Sequence, residues 1–126
     1  MRMPAESVLL RIIVGEEDRY LGRPLYPAIV SKALERKMAG ATVLVCPEGF
    51  GRSRIIRREV NIDAGPLLAV AIEIVDSEEH IEQFLPIIHD MVESGLVTLE
   101  RVHAIHYPRP PVGLASAKGG CHGRAA

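Results

Sequence analysis

A single α+β domain with the element order βαββαβ is predicted by this 126-residue sequence. Three observations lead to that prediction. Four segments have the apolar composition of strands, two have the 3.6-residue apolar period of helices, and Gly or Pro residues mark the boundaries between them. Elements in this order build an antiparallel four-stranded sheet with both helices on one face.

The first half of the chain supplies a strand, a helix and a second strand. Residues 7–14 form the first strand, and both of its faces are largely apolar. The first helix begins near residues 24–25, because Pro27 is tolerated only in a first turn, and Gly40 is its predicted stop. Residues 42–47 form the second strand.

The second half supplies the remaining elements. Residues 67–75 form an almost continuous apolar run, which is typical of a central strand buried on both faces. Asp76 and Glu79 are a predicted capping pair that begins the second helix, and Gly95 is predicted to end it. Residues 96–107 form the last strand.

The complete order is that of a ferredoxin-like sandwich, with residues 1–107 as one domain. Its helix-free sheet face carries apolar residues that no remaining segment of the chain can cover. Large exposed apolar patches are rare on monomers, so we expect self-association through this face. Residues 108–126 begin Pro-rich and continue rich in Ala and Gly without an apolar period, which predicts a disordered tail.

Composition and charge exclude several classes of function. The net charge of −1 argues against nucleic-acid binding by bulk electrostatics. Cys46 and Cys121 do not form a disulfide framework, so a reducing, cytoplasmic location is expected. The N-terminal apolar run is too short for a signal peptide or a membrane span, which predicts a soluble protein rather than a membrane protein.

Residues 49–66, between the second and third strands, are the main candidate for a functional loop. The segment opens with Gly49, Phe50 and Gly51, a pattern typical either of a backbone nest that holds an anion or of a bulge with Phe50 at a subunit contact. Its four arginines are Arg52 and Arg54, predicted to bind a ligand, and Arg57 and Arg58, predicted to bind a partner. Guanidinium groups match phosphate and carboxylate, and the alternative is a solvated loop.

Other polar residues are further candidates for an anion, catalytic or metal site. Arg23 precedes a helix whose N-terminal amides can bind an anion, or it pairs with a nearby acid. Glu16 and Glu17 are expected to stabilise a helix dipole or to remain in water. His103 and His106 point to opposite faces of one strand, which is poor geometry for a single metal site.

Metal and catalytic sites are not predicted from the residue patterns. Cys121 and His122 could combine with Cys46 into a thiolate–imidazole site, but no chelating spacing supports this. Ser53 has no sequence-adjacent base. A non-enzymatic function is therefore expected.

Several short segments, in order along the chain, resemble a known family. They are Leu10-Arg11-Ile12 with Gly15-Glu16, Arg23-Pro24-Leu25-Tyr26, Ala39-Gly40-Ala41-Thr42-Val43, Glu48-Gly49-Phe50-Gly51, Glu73-Ile74-Val75-Asp76 and Gly95-Leu96-Val97-Thr98-Leu99-Glu100. Residues 7–107 look like the prokaryotic family called domain of unknown function 190, which is similar to the P-II signal-transduction proteins. The resemblance implies a ferredoxin-like homotrimer.

The resemblance also implies a ligand site and a signalling loop. In P-II proteins, adenylate ligands bind in clefts between subunits, and a long loop after the second strand contacts a partner protein; residues 49–66 occupy that position. The sequence departs from the pattern at two places. The second phosphate-binding loop, before the last strand, is reduced to Ser94-Gly95, and Ile56 stands where the family often carries His.

Two classes of function follow from these observations. The first is a non-enzymatic P-II-like regulator that binds a small anionic ligand, with an adenine nucleotide as the candidate, and signals to a protein or membrane-transporter partner through residues 49–66. The alternative is a ferredoxin-like trimer that binds divalent metal ions through Cys46, Cys121 or His106, similar to the cation-tolerance proteins. An enzyme on the same scaffold is a third option.

Overall fold

The computed structural model of the chain describes residues 5–46, 48–49, 57–58 and 68–110. Within these ranges the predicted order of strands and helices is confirmed. The principal elements are β1 (Ala5–Gly15), α1 (Leu25–Glu35), β2 (Thr42–Cys46), β3 (Ala69–Asp76), α2 (Glu78–Met91) and β4 (Leu96–Ala104). Two small ladders accompany them, one formed by Arg19–Tyr20 with Arg23–Pro24 and the other by Glu48–Gly49 with Arg57–Arg58.

The four principal strands form one antiparallel sheet in the order β2-β3-β1-β4. The two central strands, β1 and β3, are paired over eight residues from Val8–Asp76 to Gly15–Ala69. This is the order of a ferredoxin-like sandwich, so the predicted fold class is confirmed. No helix in the described ranges is long and apolar enough to cross a membrane.

The core lies between the sheet and the two helices. Alternate residues of β1 point toward the helices, and Leu10 and Ile12 are completely buried there. The other core residues are Val8, Val14, Leu25, Ile29, Ala33, Val70, Ile72, Ile74, Ile81, Phe84, Ile88 and Met91. Burial of each large apolar side chain contributes about 1.5–3 kcal/mol, so the sheet and helices stabilise each other through this layer.

The end of α1 differs from the prediction that Gly40 stops the helix. The helix ends at Glu35, and Lys37 takes the left-handed conformation with φ of 61°. The backbone N–H of Met38 then donates to the Ala33 carbonyl at 2.9 Å. This bond is the 6→1 contact of a Schellman motif, which Gly usually closes but which Lys37 closes here.

The beginning of α2 also differs from the predicted Asp76–Glu79 capping pair. The N-cap is Ser77, whose side chain accepts a hydrogen bond from the His80 backbone N–H at 3.2 Å. Asp76 instead accepts from the backbone N–H groups of Ala39 (2.8 Å) and Ser77 (2.7 Å). The capping pair was wrong because Asp76 lies one position before the N-cap, where its carboxylate binds the backbone N–H groups of Ala39 and Ser77 instead of capping the first turn.

The ends of the last two elements were predicted too far along the chain. Helix α2 ends at Met91 rather than at Gly95, and β4 ends at Ala104 rather than at residue 107. Residues 105–110 have no regular secondary structure. Most of the predicted disordered tail lies outside the described residues, and that expectation stays a prediction.

The helix-free face of the sheet is organised in rows that cross the strands. The register aligns Leu44, Ala71, Ile13 and Leu96, one from each strand, in an apolar row. Leu44 is 47% exposed and Leu96 is 56% exposed, so the outer members of this row are open to solvent. The predicted uncovered apolar surface is therefore present in the single chain.

Candidate ligand site at the loop end of the sheet

Three strands come together where the candidate loop begins and ends. Ala69, the first residue of β3, is paired with Gly15 at the end of β1 and with Cys46 at the end of β2. The chain leaves the sheet after Cys46 and re-enters it next to Leu68. Cys46 and Leu68, which flank the candidate loop in the chain, therefore lie at one end of the sheet, which we call the loop end.

The base of the candidate loop is a short antiparallel ladder. Gly49 is paired with Arg57, and Glu48 is paired with Arg58. From the sequence, Gly49 is predicted to bind a ligand, and Arg57 and Arg58 are predicted to bind a partner. The ladder brings the backbones of these two predicted groups side by side.

Four residues of the predicted ligand site lie between Gly49 and Arg57 in the chain. Phe50, Gly51, Arg52 and Arg54 lie outside the described residues. Their assignment to an anion site stays a prediction, as does the alternative in which Phe50 packs at a subunit contact.

Arg23 lies in a turn beside α1 rather than within the loop. It is paired with Tyr20, and the next residue, Pro24, is the N-cap of α1 and makes no side-chain capping bond. Arg23 is exposed, and its guanidinium has no hydrogen bond or ion pair with any described residue. The alternative in which Arg23 pairs with a nearby acid is therefore not seen in the described part of the chain.

A shallow cavity of about 470 Å³ opens next to Arg23. Its lining includes Tyr20, Leu21 and Lys32, and Lys32 is 3.5 Å from the Glu35 carboxylate. The lining thus has two described cations. Lys32 has a carboxylate partner, whereas the Arg23 guanidinium makes no hydrogen bond to any described residue.

Glu16 is a candidate that sequence reasoning missed. Its backbone N–H donates to the Leu68 carbonyl at 2.7 Å, which fixes the residue beside the returning end of the loop. The Oε1 atom of its side chain is buried and has no hydrogen-bond partner among the residues that the structure describes. An unsatisfied buried polar atom costs about 1–3 kcal/mol, so a carboxylate in this position needs an explanation.

The turn around Glu16 is held by its neighbours. The Gly15 backbone N–H donates to Asp18 Oδ2 at 2.8 Å, and a Cβ on Gly15 would lie 3.0 Å from Asp18 Oδ1. Glycine thus allows the Asp18 carboxylate to close the turn. The Gly15-Glu16 pair within the family-like segments was the only signal in the sequence that pointed here.

The connection between α2 and β4 is short and tightly packed. Four residues, 92–95, join Met91 to Leu96, and a Cβ on Gly95 would lie 2.6 Å from the Ile13 carbonyl oxygen. The departure noted in the sequence is therefore confirmed: no second phosphate-binding loop is inserted between these two elements.

The metal-binding alternative finds no prepared site in the described ranges. There, no group of three or more His, Cys, Asp or Glu side chains is close enough to hold a metal ion. Cys46 is a free thiol, and His103 is 3.7 Å from Glu6. Cys121 lies outside the described residues.

The antiparallel β2-β3-β1-β4 sheet with its two helices defines a protein of ferredoxin-like fold. A solved structure with this fold is CPII from Thiomonas intermedia K12, described as bound to ADP and bicarbonate. The alignment has a TM-score of 0.53 and 17% sequence identity and covers 82% of this chain and 93% of that one. At this identity the likeness establishes the fold.

The chain belongs to the family of domain of unknown function 190, described as uncharacterized ACR, whose profile matches residues 7–104. A UPF0166 protein of Aquifex aeolicus is 38% identical over 98 residues, covering 78% of this chain and 92% of that protein. A UPF0166 protein of Methanocaldococcus jannaschii is 31% identical over 104 residues, covering 78% and 91%. The family resemblance seen in the sequence is thus confirmed.

Proposed function

We propose that this protein is a non-enzymatic P-II-like regulator. It binds a small anionic ligand at the loop end of the sheet and signals to a partner through residues 49–66. The observation that carries the proposal is the ladder between Gly49 and Arg57, because it joins the predicted ligand-binding and partner-binding segments at their base. Any change that a ligand makes in the first segment acts directly on the second.

An adenine nucleotide is the proposed ligand. Arginine side chains bind phosphate oxygens through paired N–H donors, which suits Arg52 and Arg54 to the phosphate end. The unpartnered Oε1 of Glu16 suits the other end, where a nucleotide carries hydroxyl and amino donors. ADP in the structure of CPII from Thiomonas intermedia K12 supports this choice of ligand.

The regulator is proposed to work as a cytoplasmic homotrimer. The apolar row from Leu44 to Leu96 on the helix-free face supports association, since a single chain leaves it open. P-II-like proteins, as the sequence resemblance implies, place their ligands between subunits. The partner is a protein, with a membrane transporter as one candidate class.

Calorimetric titration of the purified protein tests the proposal. ADP, ATP and AMP are titrated separately, with ribose 5-phosphate and inorganic phosphate as controls for the sugar and phosphate parts. We expect saturable binding of at least one adenine nucleotide, much tighter than that of either control. Absence of binding by all three nucleotides would contradict the proposed ligand, and tight binding of Zn²⁺ or Mn²⁺ alone would favour the metal-binding alternative.

A further inference from the structure

An ion pair lies at the centre of the helix-free face. Arg11 of β1 and Glu73 of β3 are directly opposite each other, and Arg11 Nε donates to Glu73 Oε2 at 2.8 Å. Their side chains are 36% and 27% exposed. Both groups are thus partly withdrawn from water while their ends still reach the surface.

The hydrogen bond between Arg11 and Glu73 uses only part of the hydrogen-bonding capacity of the two side chains. A guanidinium has five N–H donors, and a carboxylate can accept at both oxygens. In the described part of the chain, no other hydrogen bond or ion pair involves the side chain of Arg11 or of Glu73. The two Nη groups of Arg11 and Oε1 of Glu73 therefore remain available to a group outside the chain.

Apolar residues flank the pair on both sides. The row from Leu44 to Leu96 lies on one side, and Leu9 paired with Val75 lies on the other, where the exposed Glu100 of β4 stands next to Leu9 at the edge of the sheet. A surface that covers these apolar residues also removes water from Arg11 and Glu73. Removing water from a charge is costly unless new partners replace it, so the covering surface must supply hydrogen-bond acceptors for Arg11 and donors for Glu73, and charged groups of opposite sign do this best.

A second copy of this chain meets that requirement. The centre of the face presents one cation and one anion with unused bonding capacity, so it is complementary to itself, whereas an apolar segment would satisfy neither group. In a closed ring formed by rotation, the same contact repeats between each copy and the next. We propose that copies associate through the helix-free face by sharing this pair, with each Arg11 bridging its own Glu73 and the Glu73 of a neighbour.

This inference rests on the proposed trimer and adds the contact that sets its register. Apolar side chains alone tolerate several alignments of two sheets. Charged groups that lose water tolerate only those in which opposite charges meet. The Arg11–Glu73 pair therefore favours one alignment of two copies, whereas the apolar residues of the face alone allow several.

Charge exchange between separately purified variants tests the proposal. R11E carries two acids at the centre of the face, and E73R carries two bases. Each variant alone is expected to need at least tenfold more protein than the wild type for half-assembly, as measured by native mass spectrometry or light scattering. The two variants are then mixed, one of them with a mass tag. Oligomers that contain both chains are expected to form at lower protein concentration than either variant alone requires.

The double variant R11E/E73R distinguishes sharing between copies from pairing within one chain. Both arrangements allow this variant to assemble, because the opposite charges are restored in every chain. Only sharing between copies allows recovery in the mixture of single variants. Assembly of the double variant without recovery in the mixture would overturn the inference.

A matched control lies on the other side of the sheet. Arg101 and Glu78 form an exposed ion pair at 3.3 Å on the helix side. R101E and E78R are expected to assemble like the wild type, alone and mixed. If they behave like R11E and E73R, general charge and not this face governs assembly, which would also overturn the inference.

Two further measurements keep the outcomes separable. Circular dichroism identifies any single variant that fails to fold, and R11Q and E73Q then replace it, with the same expected tenfold loss of assembly. A wild-type protein that is monomeric would contradict the proposed trimer itself. A wild-type oligomer whose assembly is unchanged in R11Q and E73Q would contradict only the role of the ion pair.

Discussion

Asp76 of β3 accepts a hydrogen bond from the backbone N–H of Ala39, so the beginning of α2 is tied to the segment that follows α1. The second oxygen of the same carboxylate accepts from the Ser77 backbone N–H and lies 3.0 Å from His80 Nδ1. The Asp76 side chain is only 10% exposed. One carboxylate thus joins the ends of two helices at the end of the sheet opposite the loop.

Replacement of Asp76 should therefore destabilise the fold. Asp76→Ala leaves two backbone N–H groups without their acceptor and is expected to lower the free energy of unfolding by about 1–3 kcal/mol. Urea denaturation followed by circular dichroism measures the change. Glu79→Ala, an exposed first-turn position, is the control and should change stability by less than about 0.5 kcal/mol. Equal effects of the two substitutions would contradict the structural role of Asp76.

Gly95 and Gly40 should respond in opposite ways to the same substitution. A Cβ on Gly95 would lie 2.6 Å from the Ile13 carbonyl oxygen, whereas a Cβ on Gly40 meets nothing within 4 Å. Gly95→Ala is expected to cost about 1–3 kcal/mol, because β1 and β4 must move apart. Gly40→Ala should be neutral or stabilising by up to about 1 kcal/mol, because it restricts the unfolded chain. Thermal melting of both variants checks this, and a tolerated Gly95→Ala would show that the contact is not tight.

Glu16→Gln should affect ligand binding more than folding. The substitution keeps the shape of the side chain but removes the charge from a buried oxygen that has no partner in the described ranges. Hydrogen bonds to charged groups contribute about 1.5–3 kcal/mol, so nucleotide affinity is expected to fall by about 10–100-fold. Calorimetry with the tightest-binding nucleotide measures the loss, and the exposed Glu17→Gln is the control. Unchanged affinity in Glu16→Gln would remove Glu16 from the proposed site.

Arg52→Ala and Arg54→Ala should weaken ligand binding without loss of stability. Both residues follow Gly51 in the candidate loop, and surface substitutions usually change stability by less than about 0.5 kcal/mol. The loss of affinity for an anionic ligand is expected to be larger at low salt than at high salt, because salt screens exposed charges. Titrations at two salt concentrations measure this, with the exposed Arg109→Ala as the control. Dissociation of the oligomer in either variant would instead identify a subunit contact.

Removal of residues 108–126 should leave the folded domain intact. The segment has no periodic apolar residues, and the described core is built entirely from residues 8–91. The melting temperature of the truncated protein is expected to match that of the full chain within about 2 °C. A large decrease would show that the tail docks on the domain.

Local patterns were sufficient to predict the elements of this fold. Leu10 and Ile12 in β1, and Phe84 and Ile88 in α2, are buried at the two-residue and four-residue spacings that place side chains on one face of a strand and of a helix. Such periodicity depends only on residues that are near each other in the chain, and it identifies each strand or helix without knowledge of its neighbours. The order of elements then restricted the possible topologies to a few.

Contacts between distant residues could not be predicted in the same way. The pairing of Arg11 with Glu73 depends on the register of β1 against β3, which the two segments do not encode separately. Glu16 lies in a charged turn that is indistinguishable in sequence from a solvated one. Its buried oxygen becomes evident only when Leu68 is placed beside it.

The contact between Gly95 and Ile13 bears on how this family can change in length. An insertion between α2 and β4 must separate two backbones that touch, so it disturbs the edge of the sheet at once. An insertion between residues 49 and 57 lies outside the strand pairing that ends at Cys46 and Ala69, so it leaves the register of the four-stranded sheet unchanged. Lengthening the candidate loop is therefore compatible with this sheet, whereas acquiring a second phosphate-binding loop would require compensating changes in β1.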